Sequence, residues 1–343
     1  MALQTLLKTT LPIIQAPMAG VQGSELAAAV SNAGALGSLP CALLSAQTLR
    51  EELLALSQRT DRPYNVNFFC HAQPTADEAR QAAWRVALAP YYAELGLDPA
   101  QVPSGAGRAS FDASACELLE QFRPAVMSFH FGLPAPELLA RVKRWGAKVL
   151  SSATTVAEAL WLEQHGADAI IAQGLEAGGH RGHFLSHDLT LQMGTFALLP
   201  QIIRAVNIPV IAAGAIADAR GVAAALALGA AGVQVGTAYL LCPEATTRPL
   251  HRAALQSEAA RTTALTNVFT GRAARGIVNR IMRELGPMSP LAPDFPLAAS
   301  GMVPLRARAE ALGNADFSPL WAGQNVSGCR AMPAGQLTQQ LGT

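Results

Sequence analysis

The sequence predicts a (β/α)8 (TIM) barrel carrying a mostly helical cap. Three observations lead there. Eight short apolar runs are spaced along the 343 residues, and most are followed by a helical pattern. The runs are continuous rather than alternating, as expected of parallel strands buried on both faces. No GxGxxG follows the first run, which weakens the competing doubly wound open sheet.

The elements follow in order. The first strand is expected over 13–16, then a helix over 24–32 closed by Gly34. The second strand falls at 36–39, and Ser45 caps a helix over 45–56. YNVNFF (64–69) is the third strand and 126–129 the fourth. Pro136 at the start and Gly146 just past the end bracket the next helix. Strand five is 148–151, after which Thr155 and Glu158 form a capping box for a helix that Gly166 terminates. Strand six is 169–172, residues 198–206 are helical, and PVIA (209–212) is strand seven. Asp218 caps a helix that ends at Gly229, and 232–235 is strand eight.

Two segments break this rhythm. Residues 75–114 carry Trp84, Tyr91, Tyr92 and the loop PSGAGR, and residues 246–300 end in GPMSPLAPDFP. They are assigned to a cap, or substrate domain, on the catalytic side of a barrel formed by 1–74, 115–245 and 301–343, the last including the C-terminal tail. A lid that excludes water is the functional reading. An insertion serving only stability or an oligomer contact is the alternative.

Composition removes several classes of function. Half of the residues are hydrophobic and 14% are charged, which favours a buried core over disorder. The net charge is +1, with no basic block and few aromatics, so nucleic acid is not an expected partner. Cys41, Cys70, Cys116, Cys242 and Cys329 are dispersed without a CxxC, as reduced thiols of a cytoplasmic protein would be. The first residues lack the pattern of a signal peptide, and the Ala-rich stretch 223–231 is too short to span a membrane. The expected state is a monomer or homodimer.

The chemistry gathers at the strand ends, where barrels place it. The sharpest stretch is IIAQGLEAGGHRGH (170–183). Paired glycines let backbone approach a flat or anionic ligand, and His180 just beyond them can exchange a proton near neutral pH. AAGAIAD and QVGTAY, after strands seven and eight, lead into helix N-termini and form the common barrel phosphate site. A metal site built from His180, His183, His187 and Glu176 is not expected, because glycines rather than a rigid helix present these groups. No GxSxG elbow supports serine catalysis.

PIIQAPMAG, PYNVNFF, MSFHFG, AQGLEAGGHRG, PVIAAGAIAD and GVQVGTAYL together resemble the nitronate monooxygenase family. The likeness runs from about residue 12 to 245 and continues more weakly through FTGRAARGIVNR and WAGQ. The resemblance implies an FMN-dependent flavoprotein. By motif, Ala16, Pro17, Met18 and Ala19 lie against the flavin, and Asn67 and Gln173 hydrogen-bond its ring or ribityl chain. Gly178 and Gly179 pass close to the ring, and Gly214 with Gln234, Val235, Gly236 and Thr237 holds the phosphate. His180 matches the active-site histidine, with His130 and His183 beside the substrate. The implied activity is oxidation of alkyl nitronates by O2, by one-electron transfer to the flavin, to a carbonyl compound and nitrite, a detoxifying reaction. Neutral nitroalkanes would also serve if His180 removes their α-proton. The same motifs resemble FMN-dependent enoyl-thioester and NADH:quinone reductases. A flavin-binding barrel without turnover is a third possibility.

Overall fold

The computed structural model describes residues 2–75, 77–98 and 108–343. Of the loop PSGAGR, residues 103–107 therefore lie outside the described residues and Arg108 lies inside. Eight parallel strands form the barrel: β1 (Ile13–Gln15), β2 (Gly37–Pro40), β3 (Tyr64–Phe69), β4 (Val126–His130), β5 (Lys148–Ala153), β6 (Ala169–Gln173), β8 (Val210–Ala213) and β9 (Gly232–Val235). A two-residue strand outside the barrel, β7 (Gly179–His180), intervenes. The sheet runs β1-β9-β8-β6-β5-β4-β3-β2. A single parallel bridge, Ile14 opposite Leu36, closes it, with Gln15 N donating to Leu36 O at 2.9 Å. The predicted strands fall within two residues of these limits because each is a buried apolar run, and such runs have few alternative registers.

The barrel interior is filled from the bottom by Ile14, Leu36, Val126, Leu150, Ile171 and Ile211. A short helix, Leu3–Leu7, adds Leu3 and Leu7 to the same cluster and plugs that end. The sequence reading has no element there. A larger shell packs the helices onto the strands, and the C-terminal helix Ala334–Leu341 joins it through Ala334, Leu337 and Leu341.

Local chemistry sets the helix starts. Ser45 accepts from Thr48 N at 3.1 Å, and Asp218 from Gly221 N at 2.9 Å. The expected capping box at Thr155 is only half formed. Thr155 Oγ1 accepts from Glu158 N at 3.2 Å, but the buried Glu158 carboxylate does not return to Thr155. It accepts from Thr154 N and Phe184 N, at 2.7 and 2.6 Å, and so ties the loop after His180 to the end of β5. The helix expected at 198–206 begins earlier, at Thr195, because Glu176 accepts the Thr195 N–H at 2.8 Å.

The cap has its own core. Trp84, Leu88 and Tyr92 of helix Glu78–Glu94 pack with Met302 and Leu305 of helix Ala298–Ala311 and with Phe317. The boundary drawn at 300 thus cuts through a cap helix. Gly301 is where that helix meets its neighbour: a Cβ there would lie 2.7 Å from Leu88 Cδ1. The cap also contains a ribbon, β10 (Thr263–Thr266) and β11 (Ala274–Ile277), and β11 pairs with β7, setting Ala274 opposite His180. Among the described residues no helix is long and apolar enough to cross a membrane. All five cysteines are unpaired, with Cys41, Cys116 and Cys242 buried.

Gly37 opens β2 against helix Ser24–Asn32, and a Cβ there would lie 1.8 Å from the Ala27 carbonyl oxygen. The opposing atom is backbone and cannot rotate away. Gly37→Ala is expected to destabilise the fold by about 1–3 kcal/mol, the usual range for overpacking. Denaturant melts of the two proteins measure this; an unchanged midpoint would contradict the packing.

Candidate active site

The site is built on the end of β6. Gln173 turns its side chain back on the loop that follows: Nε2 donates to His180 O at 2.9 Å and Oε1 accepts from Gly182 N at 2.8 Å. The fully buried Arg181 guanidinium completes the tie, donating to Gly174 O at 2.6 Å, Gln173 O at 2.7 Å and Gln192 Oε1 at 2.9 Å. Gly174 is needed because a Cβ would lie 1.9 Å from Thr195 Oγ1. The Glu176 carboxylate accepts from Thr195 N and Oγ1, at 2.8 and 2.9 Å.

His180 is thereby fixed in an aromatic enclosure. The rings of Phe295, Trp321, Phe69 and Phe131 lie 5.3, 5.6, 6.0 and 6.1 Å from its own. Its Nε2 lies 3.2 Å from Arg108 Nη1 and 3.0 Å from Thr270 Oγ1. Arginine can only donate, so Nε2 is the acceptor and the ring is neutral. Burial first, and the Arg108 charge next, hold its pKa well below the usual histidine value. His130 Nε2 lies 3.1 Å from His180 O, so it is the donor there, and Nδ1 accepts from Ser152 at 3.0 Å. Burial pushes this ring down to about 4.

These groups stand at one end of a cleft of about 1340 Å³, open mouth included. Ala16, Pro17, Met18, Ala19, Asn67, His130, Gln173, Gly178, Gly179, His180, Gly214, Gln234, Gly236 and Thr237 all line it. Two candidates do not. Val235 points into the shell between strands and helices. His183 is buried behind the loop, edge-on to His187 at 5.5 Å. Gln173 lines the cleft, but both ends of its amide already serve the loop. Asn67 spends its NH2 group on Ser128 O and Oγ, at 3.2 and 2.9 Å, which leaves its carbonyl oxygen for a ligand.

The opposite end suits a flavin phosphate and ribityl chain. Gly214 (φ 122°) and Ala215 (φ 60°) both take left-handed conformations, which curl the β8 turn around a concavity. Residues 321–325, remote in sequence, wrap the same end: Gly323 N donates to Thr237 Oγ1 and Asn325 Nδ2 to Ala215 O, both at 3.0 Å. A Cβ at Gly178 would lie 2.6 Å from the Ala322 carbonyl carbon, so backbones meet there without side chains between. Gln234 Oε1 is buried in this wall with no partner among the described residues, and a polar ligand group would satisfy it. These residues could hold a phosphate-bearing cofactor.

Arg108, Phe69, His251, Trp321, Gly323 and Asn325 also line the walls and were not singled out as site residues from sequence. The late WAGQ carried a weak signal for Trp321 and Gly323. Nothing local marks Arg108.

The sequence profile of the nitronate monooxygenase family matches residues 1–343. The chain is 44% identical to the nitronate monooxygenase of Pseudomonas aeruginosa, covering 96% of this chain and 95% of that one. It is 42% identical to the nitronate monooxygenase of Paraburkholderia phytofirmans, covering 99% and 93%. The structure resembles a nitroalkane oxidase from Streptomyces ansochromogenes, with TM-score 0.90, 40% identity and coverage of 99% and 96%. It also resembles FabK from Thermotoga maritima, with TM-score 0.74, 28% identity and coverage of 98% and 93%.

Burial holds His71 and His251 near 4 and His183 near 3, besides His130 and His180. All five are neutral in the native state, whereas the unfolded chain takes up protons from about pH 6.5 downward. Their contribution to stability is complete above that pH and is lost as pH falls towards 4. The melting temperature is expected to be flat just above pH about 6.5 and to fall steadily to pH about 4. A melting temperature constant across that interval would contradict the buried neutral histidines.

Proposed function

The chain belongs to the nitronate monooxygenase family, and from that premise we propose that it oxidises alkyl nitronates with FMN and O2 to a carbonyl compound and nitrite. It is a flavin oxidoreductase by kinship; the substrate, the oxidant and the choice of FMN are the proposal. The observation that carries the reading is a pairing at the apolar end of the cleft. Neutral His180 stands there beside Arg108, a half-buried cation that no carboxylate among the described residues neutralises. Residues 99–107 contain no Asp or Glu. Such a pocket welcomes a small organic anion.

Bound FMN would supply the redox chemistry between nitronate and oxygen. The chain's own part is binding and orientation. Gly178 and Gly179, with Pro17 and Met18, offer a flat slot between strand ends for the ring. Gly214, Gly236 and Thr237 hold the phosphate through backbone groups, without Lys or Arg. Phe69, Phe131, Phe295 and Trp321 exclude water from the reacting end. His180 steadies the bound substrate. If the substrate arrives as the neutral nitroalkane, a ring nitrogen of His180 removes its α-proton.

Two experiments address this. A phosphate end without an adenylate-binding motif supports FMN rather than FAD. Heat release and chromatography of the cofactor should give FMN. Gly236→Asp, which sets a carboxylate against the phosphate with Ala16 Cβ 3.2 Å from the new Cβ, should lose flavin and keep its fold. FAD in the wild type, or full FMN in the variant, would overturn the assignment. For catalysis, kcat/KM is measured with both forms of one compound. His180→Asn should lower the rate with neutral nitroalkane by about 10²–10⁴-fold, and the rate with preformed nitronate by less. Wild-type rates with both forms would remove His180 from the chemistry.

A further inference from the structure

Arg108 enters the site from the insertion that breaks the barrel rhythm, 72 residues before the histidine it touches. Its guanidinium lies over the Phe295 ring, 5.4 Å from the centroid, and within 3.2 Å of His180 Nε2. Thr270 Oγ1 approaches the same nitrogen at 3.0 Å. The lone pair that a general base must use is therefore already engaged. Burial and the charge of Arg306 lower the guanidinium pKa to about 10, which still leaves it cationic at neutral pH. A planar fork of N–H donors matches two oxygens on one planar centre, the geometry of a nitronate as of a carboxylate.

We propose that Arg108 is a positioning and specificity residue: its guanidinium receives the two nitronate oxygens and, by engaging His180 Nε2, makes the enzyme favour a preformed nitronate over the neutral nitroalkane. This rests on the functional reading above. Proton abstraction would break the substrate α-C–H bond, form N–H at Nε2 and send the bonding pair into C=N, with negative charge on the two oxygens. The imidazolium so formed would face the Arg108 cation at contact distance. A substrate that is already an anion avoids that step and supplies the counter-charge Arg108 lacks.

The test compares wild type, Arg108→Gln and Arg108→Lys, each reconstituted with FMN, on the nitronate and the neutral form of one nitroalkane. Charge-assisted hydrogen bonds set the scale. Arg108→Gln should raise KM for the nitronate about 10–100-fold, with a much smaller change in kcat. The preference for nitronate over nitroalkane in kcat/KM should fall at least about tenfold. The acid limb of the nitroalkane pH profile should move to higher pH as the like charge beside His180 is removed. Arg108→Lys, which keeps charge without the fork, should recover part of the KM. An unchanged nitronate KM in Arg108→Gln, or equal losses with both substrate forms, overturns the proposal. Should Arg108→Gln fail to retain flavin, Arg108→Lys decides: a raised KM supports the role and a wild-type KM overturns it. Wild-type enzyme that does not oxidise nitronate at all would instead overturn the functional reading, and this inference with it.

Discussion

A buried guanidinium holds the working loop of this barrel in place. Arg181 is fully buried and, among the described residues, donates to no carboxylate; it spends its donors on the carbonyls of Gln173 and Gly174 and on Gln192. Gln173 then grips His180 O and Gly182 N. A loop with glycines at 174, 178, 179 and 182 would otherwise sample many conformations. Tying it twice to the end of β6 fixes the His180 ring against the aromatic wall. β11 adds a second restraint by pairing with β7, so cap and barrel share the histidine's backbone.

The electrostatics follow from that placement. The tight loop and the aromatic rings remove water from His180, His130 and His71, and each is neutral in consequence. Arg108 and Arg272 remain as the charges of the enclosure, and Arg272 stacks 4.0 Å from the Phe131 centroid. Neutral histidines beside cations make a pocket that accepts an anion without first needing to be protonated. Among the described residues the opposite end has no side-chain cation on its walls and relies on turn geometry. One cleft thus offers two different anion environments, one suited to a phosphate and one to a small organic anion.

Most of the barrel was legible in the sequence because its signals are local. A continuous apolar run can only be a doubly buried strand here, and Ser45, Pro136 and Asp218 mark helix starts through their own backbone neighbours. The same local signals led to strand-end residues that line the cleft, such as Met18, Asn67 and Thr237. What escaped depends on contacts distant in the chain. Glu158 looked like a reciprocal cap, but its carboxylate serves Phe184, 26 residues on. The Pro-rich GPMSPLAPDFP suggested a boundary at 300, yet helix Ala298–Ala311 runs across it and packs Gly301 against Leu88 and Trp84. Arg108, Trp321 and Asn325 reach the cleft from the insertion and the tail. No periodicity or spacing announces a residue whose role is set by partners many tens of positions away.

The central claim is that this cleft delivers electrons from a bound nitronate to a flavin. Anaerobic mixing of the FMN-loaded protein with a preformed alkyl nitronate, followed by flavin absorbance, tests it most directly. The account predicts that the oxidised flavin spectrum bleaches on mixing with nitronate and recovers when oxygen is admitted, with nitrite released. A flavin that stays oxidised with nitronate but is reduced by NADH or NADPH would contradict it and make the protein a nicotinamide-dependent reductase.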